Sequence, residues 1–356
     1  MLTAIPCSPA DITPVWLGGL LETEISRVEV TPVGTGQTGA TYRIVATRAD
    51  GRHSPDLVVK LASQDDEVRE RVALGYRAEY AFYEYAAATL AVPVPTVHLC
   101  EVSDDGTEFV LLMQDLAPAV QGDQFQGCTA EQAGLAVDAL AGLHGPRWCD
   151  PAWDDFPNVS MPRPTPDFAR GLGEMVRMAT DISLTRLGDR VDPQDRETLS
   201  AAADLVTPWL GIEPDRFALL HGDYRLDNMM FDPDGSKVTI VDWQTLSVGL
   251  PARDLSYFLG TGLLPDLRRR HERDLVARYW AALAGYGVRG YSEADCWRDY
   301  RAGLLQIQLM MTFGLAFSGS TDRGEQLAAT MLSRGALAMR EHDTLGLIAE
   351  AAQVQA

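Results

Sequence analysis

Lysine is almost missing from this sequence. Of 30 basic residues only Lys60 and Lys237 are lysine, against 28 arginines. Positive charge of either kind is outnumbered by 50 acidic residues, and the formal net charge is −20. Nucleic-acid binding needs a basic face, so that class of partner is not expected. The five cysteines (Cys7, Cys100, Cys128, Cys149 and Cys296) are odd in number, widely spaced and without a Cys-x-x-Cys pair. They fit neither a disulfide framework nor a zinc site and point to a reducing, cytoplasmic setting. Repeats, low-complexity tracts and long linkers are also missing. The opening "MLTAIPCSPADITPVW" has no basic region followed by an apolar core, so a signal peptide is not expected. Long hydrophobic runs are absent with one exception, "AGLLQIQLMMTFGLAFSGST" at 302–321, which carries no charge over 20 residues. Its Gln306, Gln308 and Gly/Ser-rich end read as a buried helix of a helical lobe rather than a membrane span.

What is present can build a large core. The chain has 356 residues and is 46% hydrophobic, enough for two domains or one domain of two lobes. From about Glu24 to Leu112 it reads as short β-rich runs: "SRVEVTPV", "TYRIVATR", "DLVVKLA", "TVHLCEVS" and "EFVLLM". Turn signals at Asp50-Gly51 and "SDDG" separate them, which predicts an antiparallel sheet. One helical stretch, 66–90, interrupts the strands. Beyond Leu116 the pattern is mostly helical, as in 130–144 and most of 252–350.

One exception interrupts the helical part. "HGDYRLDNMMFD" (221–232) crowds a His, Asp223, Arg225, Asp227 and Asn228 just before an apolar run. "MMF" and "KVTIVDW" then flank "DPDG", a strong hairpin signal. A tight hairpin brings its ends together, so Asn228 and Asp242 should converge. One carboxylate and one amide oxygen suit Mg²⁺ held together with phosphates. Asp223, just upstream, is then free to orient a hydroxyl or accept its proton.

These residues carry a resemblance. "HGDYRLDN" resembles the catalytic loop of the protein-kinase-like fold, in the His-Gly-Asp form of the aminoglycoside phosphotransferase, choline kinase and ecdysteroid-kinase-like families. "IVDWQ" (240–244) is similar to their metal-binding segment, and "VVK", "EYAFYE", "FVLLMQDLAP" and "LHGPRW" follow in the family's order. The resemblance implies an α+β, protein-kinase-like, two-lobed fold. An N-terminal nucleotide-binding lobe with an antiparallel sheet and one main helix would span 1–112. A hinge at 113–117 would join it to a mostly helical catalytic and substrate-binding lobe over 118–356.

The remaining site residues follow. "GTGQTGAT" (34–41) fails as a P-loop because Ala40 stands where lysine is needed, and the strand after it excludes a dinucleotide-binding turn. Strand, glycine turn, strand fits a phosphate-covering loop, which places Gly34, Gly36, Gln37, Thr38 and Gly39 against the nucleotide. An ordinary glycine-rich hairpin is the alternative. Lys60 stands out on its apolar strand because lysine is so rare. By resemblance it pairs phosphates and a helix carboxylate: Glu79 is the choice, with Glu70 and Glu84 as competitors. Met113, Gln114, Asp115 and Leu116 would take adenine through backbone groups. Arg225 stands where related loops often place a basic residue near the transferred phosphoryl, and a surface arginine is the equal alternative. His221 reads as a brace, Asp254 as an N-cap or loop brace, His144 as a packing or capping group, and Lys237 as solvated.

Together these features predict transfer of the γ-phosphate of Mg-ATP to a hydroxyl of a small molecule. Only 11 residues separate Asp242 from Asp254, too few for the activation segment of a protein kinase. Cationic acceptors, met by Asp150, Asp154 and Asp155, and apolar hydroxylated acceptors both stay open. A catalytically silent nucleotide-binding protein on the same fold is the alternative.

Overall fold

A computed structural model describes residues 5–33, 39–317 and 321–355. Helix α1 (Pro14–Leu20) starts at Thr13, whose hydroxyl accepts from the Trp16 N–H, and at Pro14, whose fixed φ suits a first turn. Strands β1 (Ile25–Pro32), β2 (Gly39–Arg48) and β3 (Leu57–Ala62) follow, then α2 (Asp66–Arg71), α3 (Ala73–Ala81), β4 (Val97–Val102) and β5 (Phe109–Gln114). The five strands form one antiparallel sheet in the order β1-β2-β3-β5-β4. Alternation along β3 decides which way Lys60 faces. Val59 and Leu61 pack with Trp16, Leu17 and Ile44 on one face. Lys60 shares the other face with Val58 and Ala62, which pack with Tyr76 of α3.

The helical stretch expected over 66–90 is not continuous. Val72 leaves helical geometry (φ −101, ψ 8), ending α2, and the chain restarts as α3. A wider turn over Phe82–Ala86 and a tighter one over Ala87–Thr89 complete it. The restart presses Gly75 onto the segment after Asp242: a Cβ there would lie 3.2 Å from the Cβ of Gln244.

The remainder holds β6 (Val120–Gln121), α4 (Ala130–His144), α5 (Pro166–Leu187), α6 (Pro193–Ala203), α7 (Val206–Leu210), β7 (Ala218–Leu220), β8 (Met229–Phe231), β9 (Val238–Ile240) and β10 (Ser247–Gly249). Helices α8 (Ala252–Gly262), α9 (Pro265–Gly285), α10 (Glu293–Gly303), α11 (Leu305–Phe317), α12 (Asp322–Glu341) and α13 (Thr344–Gln355) close it. The expected hairpin is β8–β9, widened by β6 into a three-stranded sheet; β7 and β10 pair separately. Residues 221–228 therefore run from one small sheet to the other, and 241–246 run back. The uncharged stretch takes in the end of α10 and helix α11, which is buried over Leu305–Leu309 and partly exposed in its last turns. Gln306 and Gln308 are fully buried, and Gln308 donates to Thr180 and to the Leu199 carbonyl. Among the described residues no helix is long and apolar enough to cross a membrane.

Candidate active site

The 221–228 loop takes its shape from one glycine and one carboxylate. Gly222 has φ +83, and a Cβ there would lie 2.1 Å from the Thr245 carbonyl oxygen. Only glycine fits both the left-handed backbone and the close approach. Asp254, in the first turn of α8, accepts from the N–H groups of His221 (2.7 Å) and Gly222 (3.1 Å). His221 hydrogen-bonds the Val241 carbonyl at 3.2 Å and packs on Trp243, so it joins the outgoing and returning segments. His144 is buried between Tyr279 and Asp254. His221 and His144 stand where the sequence reading put them; Asp254 is the loop brace and not an N-cap, since Pro251 holds that position.

Asp223 is fastened by three donors. Arg225 Nε (2.9 Å) and Asn228 Nδ2 (3.1 Å) donate to its Oδ2, and the Tyr257 hydroxyl donates to Oδ1 at 2.7 Å. Arg225 also pairs with Asp227 at 2.6 Å. It is thus a half-buried link between two carboxylates, which removes the surface-arginine alternative. Burial opposes its charge, but Asp223 and Asp227 outweigh that and raise its pKa. Asn228 gives its amide nitrogen to Asp223, leaving the amide oxygen for a cation. Its backbone carbonyl accepts from the Val241 N–H at 3.0 Å, so the hairpin does bring Asn228 to the residue before Asp242.

Lys60 closes the site from the sheet. Its Nζ lies 2.7 Å from Glu79 Oε2 and 3.0 Å from Asp242 Oδ1. Glu79 is buried, while Glu70 and Glu84 are exposed, so geometry selects Glu79 as the partner. Glu79 also accepts from the Trp243 N–H and the Gln244 amide, which ties α3 to the returning segment. Burial opposes the Lys60 charge, but Asp242 and Glu79 outweigh it and raise its pKa. For Glu79 burial wins and the pKa rises; for Asp242 the Lys60 ammonium wins over burial and the pKa falls. Asp242 adopts φ +68, uncommon for a non-glycine residue. Its side chain keeps 38% exposure, so a carboxylate oxygen remains open to the cleft.

Other expected residues divide. Gly34, Gly36, Gln37 and Thr38 lie outside the described residues. Gly39 opens β2, where a Cβ would come within 3.4 Å of Lys60 Cε. Met113 and Gln114 belong to β5 rather than to a free hinge. The Gln114 N–H donates to Thr96 and the Asp115 N–H to Asp56. The Asp115 carboxylate pairs with Arg43 of β2. These three groups are committed within the fold. Among the described residues no protein acceptor meets the Leu116 N–H. Tyr257 was missed, and Asp227, though part of the polar cluster, was given no role. The available signal for Tyr257 was its place three residues after Asp254, one helical turn along the same face.

A model of the phosphotransferase enzyme family matches residues 29–302. Among curated proteins, the acyl-CoA dehydrogenase family member 11 of Gallus gallus is 28% identical over 180 residues, 48% of this chain and 21% of that protein. The Homo sapiens counterpart is 26% identical over 177 residues, 47% and 20%. The match therefore spans about a fifth of those relatives' length. Among solved structures, choline kinase from Cryptosporidium parvum superposes with a TM-score of 0.58 at 10% identity, covering 90% of this chain and 92% of that one. Plasmodium vivax ethanolamine kinase gives 0.55 at 12%, covering 91% and 85%. At such identities the likeness speaks for the fold. The family match runs through both the sheet that carries Lys60 and the loop that carries Asp223, and the chain belongs to the phosphotransferase enzyme family on a protein-kinase-like fold.

Proposed function

We propose that the protein is a small-molecule kinase, moving the γ-phosphate of Mg-ATP to a hydroxyl. The observation that carries this is Asn228. Its side chain holds Asp223 while its backbone holds the strand leading to Asp242, so one residue ties the would-be base to the would-be phosphate end. Asp223 would orient the acceptor hydroxyl and take its proton as the oxygen attacks the γ-phosphorus; the bond to the bridging oxygen breaks and ADP leaves with its electrons. Lys60, held charged between Glu79 and Asp242, would meet the phosphate charge. The free oxygens of Asn228 and Asp242 fit Mg²⁺, whose role when bound is to neutralise phosphate oxygens.

For the acceptor, the observations favour an apolar body over a cation. Of the three acidic residues that could meet a cation, Asp150 is paired with Arg147 at 2.7 Å and Asp154 with Arg163 at 3.3 Å, which leaves the exposed Asp155. On α11, Gln306 reaches the Gly222 carbonyl, and Met310, Phe313 and Phe317 continue its stripe into partial exposure. The relatives' acyl-CoA name supports the same direction, since an acyl chain is apolar.

Calorimetric titration with Mg-ATP tests the nucleotide half of the reading. Wild type binds, and Lys60→Met binds at least about tenfold more weakly, the loss of one charge-assisted contact. Equal binding by both, or none by wild type, refutes it.

A further inference from the structure

A carboxylate offers about four lone-pair directions, and three of those on Asp223 are filled. Arg225 and Asn228 occupy Oδ2; Tyr257 occupies one place on Oδ1. The one direction left is the second on Oδ1. Tyr257 is a buried residue of α8, the helix whose Asp254 already holds the start of the loop. Its hydroxyl reaches Asp223 from an element outside the loop, so it sets the carboxylate's rotation independently of the backbone around it.

From this we infer that Tyr257 is a positioning residue for phosphoryl transfer, its hydroxyl turning the open direction of Asp223 Oδ1 toward the acceptor hydroxyl. The inference rests on the kinase reading above. Burial, and next to it the Asp223 charge, pushes the phenol well above its usual pKa, so it stays protonated and remains a donor. Without it, Oδ1 has two open directions and the carboxylate is held from the Oδ2 side alone. The acceptor hydroxyl then loses its single geometry, which lowers turnover without touching nucleotide binding.

The test uses the full chain, Mg-ATP and whichever of ethanolamine, choline or 1,2-decanediol the wild type phosphorylates. Tyr257→Phe is expected to lower kcat by about 10- to 100-fold, with Kd for ATP within about twofold of wild type. Tyr257→Leu removes the same donor and must show the same loss. Tyr300→Phe is the control: its buried hydroxyl donates to the Glu272 carboxylate at 2.8 Å, a matched interaction away from the loop. It is expected to lose thermal stability comparably and keep kcat. The inference is overturned if Tyr257→Phe keeps wild-type kcat while Asp223→Asn is inactive, a result that leaves the kinase reading standing. It is also overturned if the Tyr257 and Tyr300 variants lose kcat in parallel with their stability. No transfer by wild type to any of the three alcohols overturns the kinase reading and this inference with it.

Discussion

Lys60→Met perturbs the site where its energetics are most exposed to measurement. The ammonium lies 2.7 Å from Glu79 and 3.0 Å from Asp242, and Lys60 and Glu79 are 8% and 1% exposed. Removing it leaves two carboxylates facing each other with no cation between. Breaking a buried ion pair by deleting one partner costs about 3–5 kcal/mol. Glu79, already raised by burial, should rise further once the ammonium is gone. A carboxyl with a raised folded pKa is stabilising when protonated, and that contribution is lost as pH rises through the folded value. Lys60→Met should therefore gain stability as the pH is lowered from 7 toward 5. Adding Glu79→Gln removes one of the stranded charges and should recover about 1–3 kcal/mol, a non-additive result. Urea unfolding followed by tryptophan fluorescence at pH 7 and pH 5 reads all of this. A Lys60→Met cost under about 1 kcal/mol, or additive single and double variants, would refute the coupling.

Three further outcomes follow from geometry. Gly222→Ala meets the Thr245 carbonyl oxygen at 2.1 Å in a left-handed backbone, so it should lower stability by at least about 1–3 kcal/mol; an unchanged melting temperature would contradict the close approach. Asp254→Asn keeps the shape but replaces one of the two acceptors for the His221 and Gly222 N–H groups, costing about 1–3 kcal/mol in thermal unfolding; no loss would show that the brace is slack. Burial pulls the Glu272 pKa up, but His342 and Arg268 outweigh it and hold it low. Its stabilisation is present above the unfolded value of about 4.3 and lost as pH falls through the folded one, so Glu272→Gln should flatten the acid limb of a stability profile between pH 6 and 3. A parallel profile would sink that reading.

Local signals in the sequence were strong enough to reveal most of the frame. The five strands stand out as short β-branched and apolar runs, and the turn glycines Gly51 and Gly106 between two strand pairs do adopt positive φ. The β8–β9 hairpin was legible from its turn, and that alone predicted the convergence of Asn228 with the Asp242 strand. Residues that depend on tertiary pairing were harder. Glu79, Glu70 and Glu84 lie in one helical stretch, and only the break at Val72 and the burial of α3 separate them. The Asp115 side chain pairs with Arg43, 72 positions away, and its N–H with Asp56, which no periodicity foretells. Tyr257 meets Asp223 across 34 positions, and its place one helical turn after Asp254 is the sole local mark of it.

In the proposed reaction Asp223 serves phosphoryl transfer. The most direct test is the movement of labelled γ-phosphate from Mg-ATP to hydroxylated acceptors, cationic and apolar, by wild type and Asp223→Asn side by side. Wild type is expected to give acceptor-dependent product, and the variant to lose about 10²- to 10⁴-fold, the usual contribution of a positioned base. Equal product from both proteins, or bound ATP with no transfer to any acceptor, would contradict that role and favour a silent nucleotide-binding protein on the same fold.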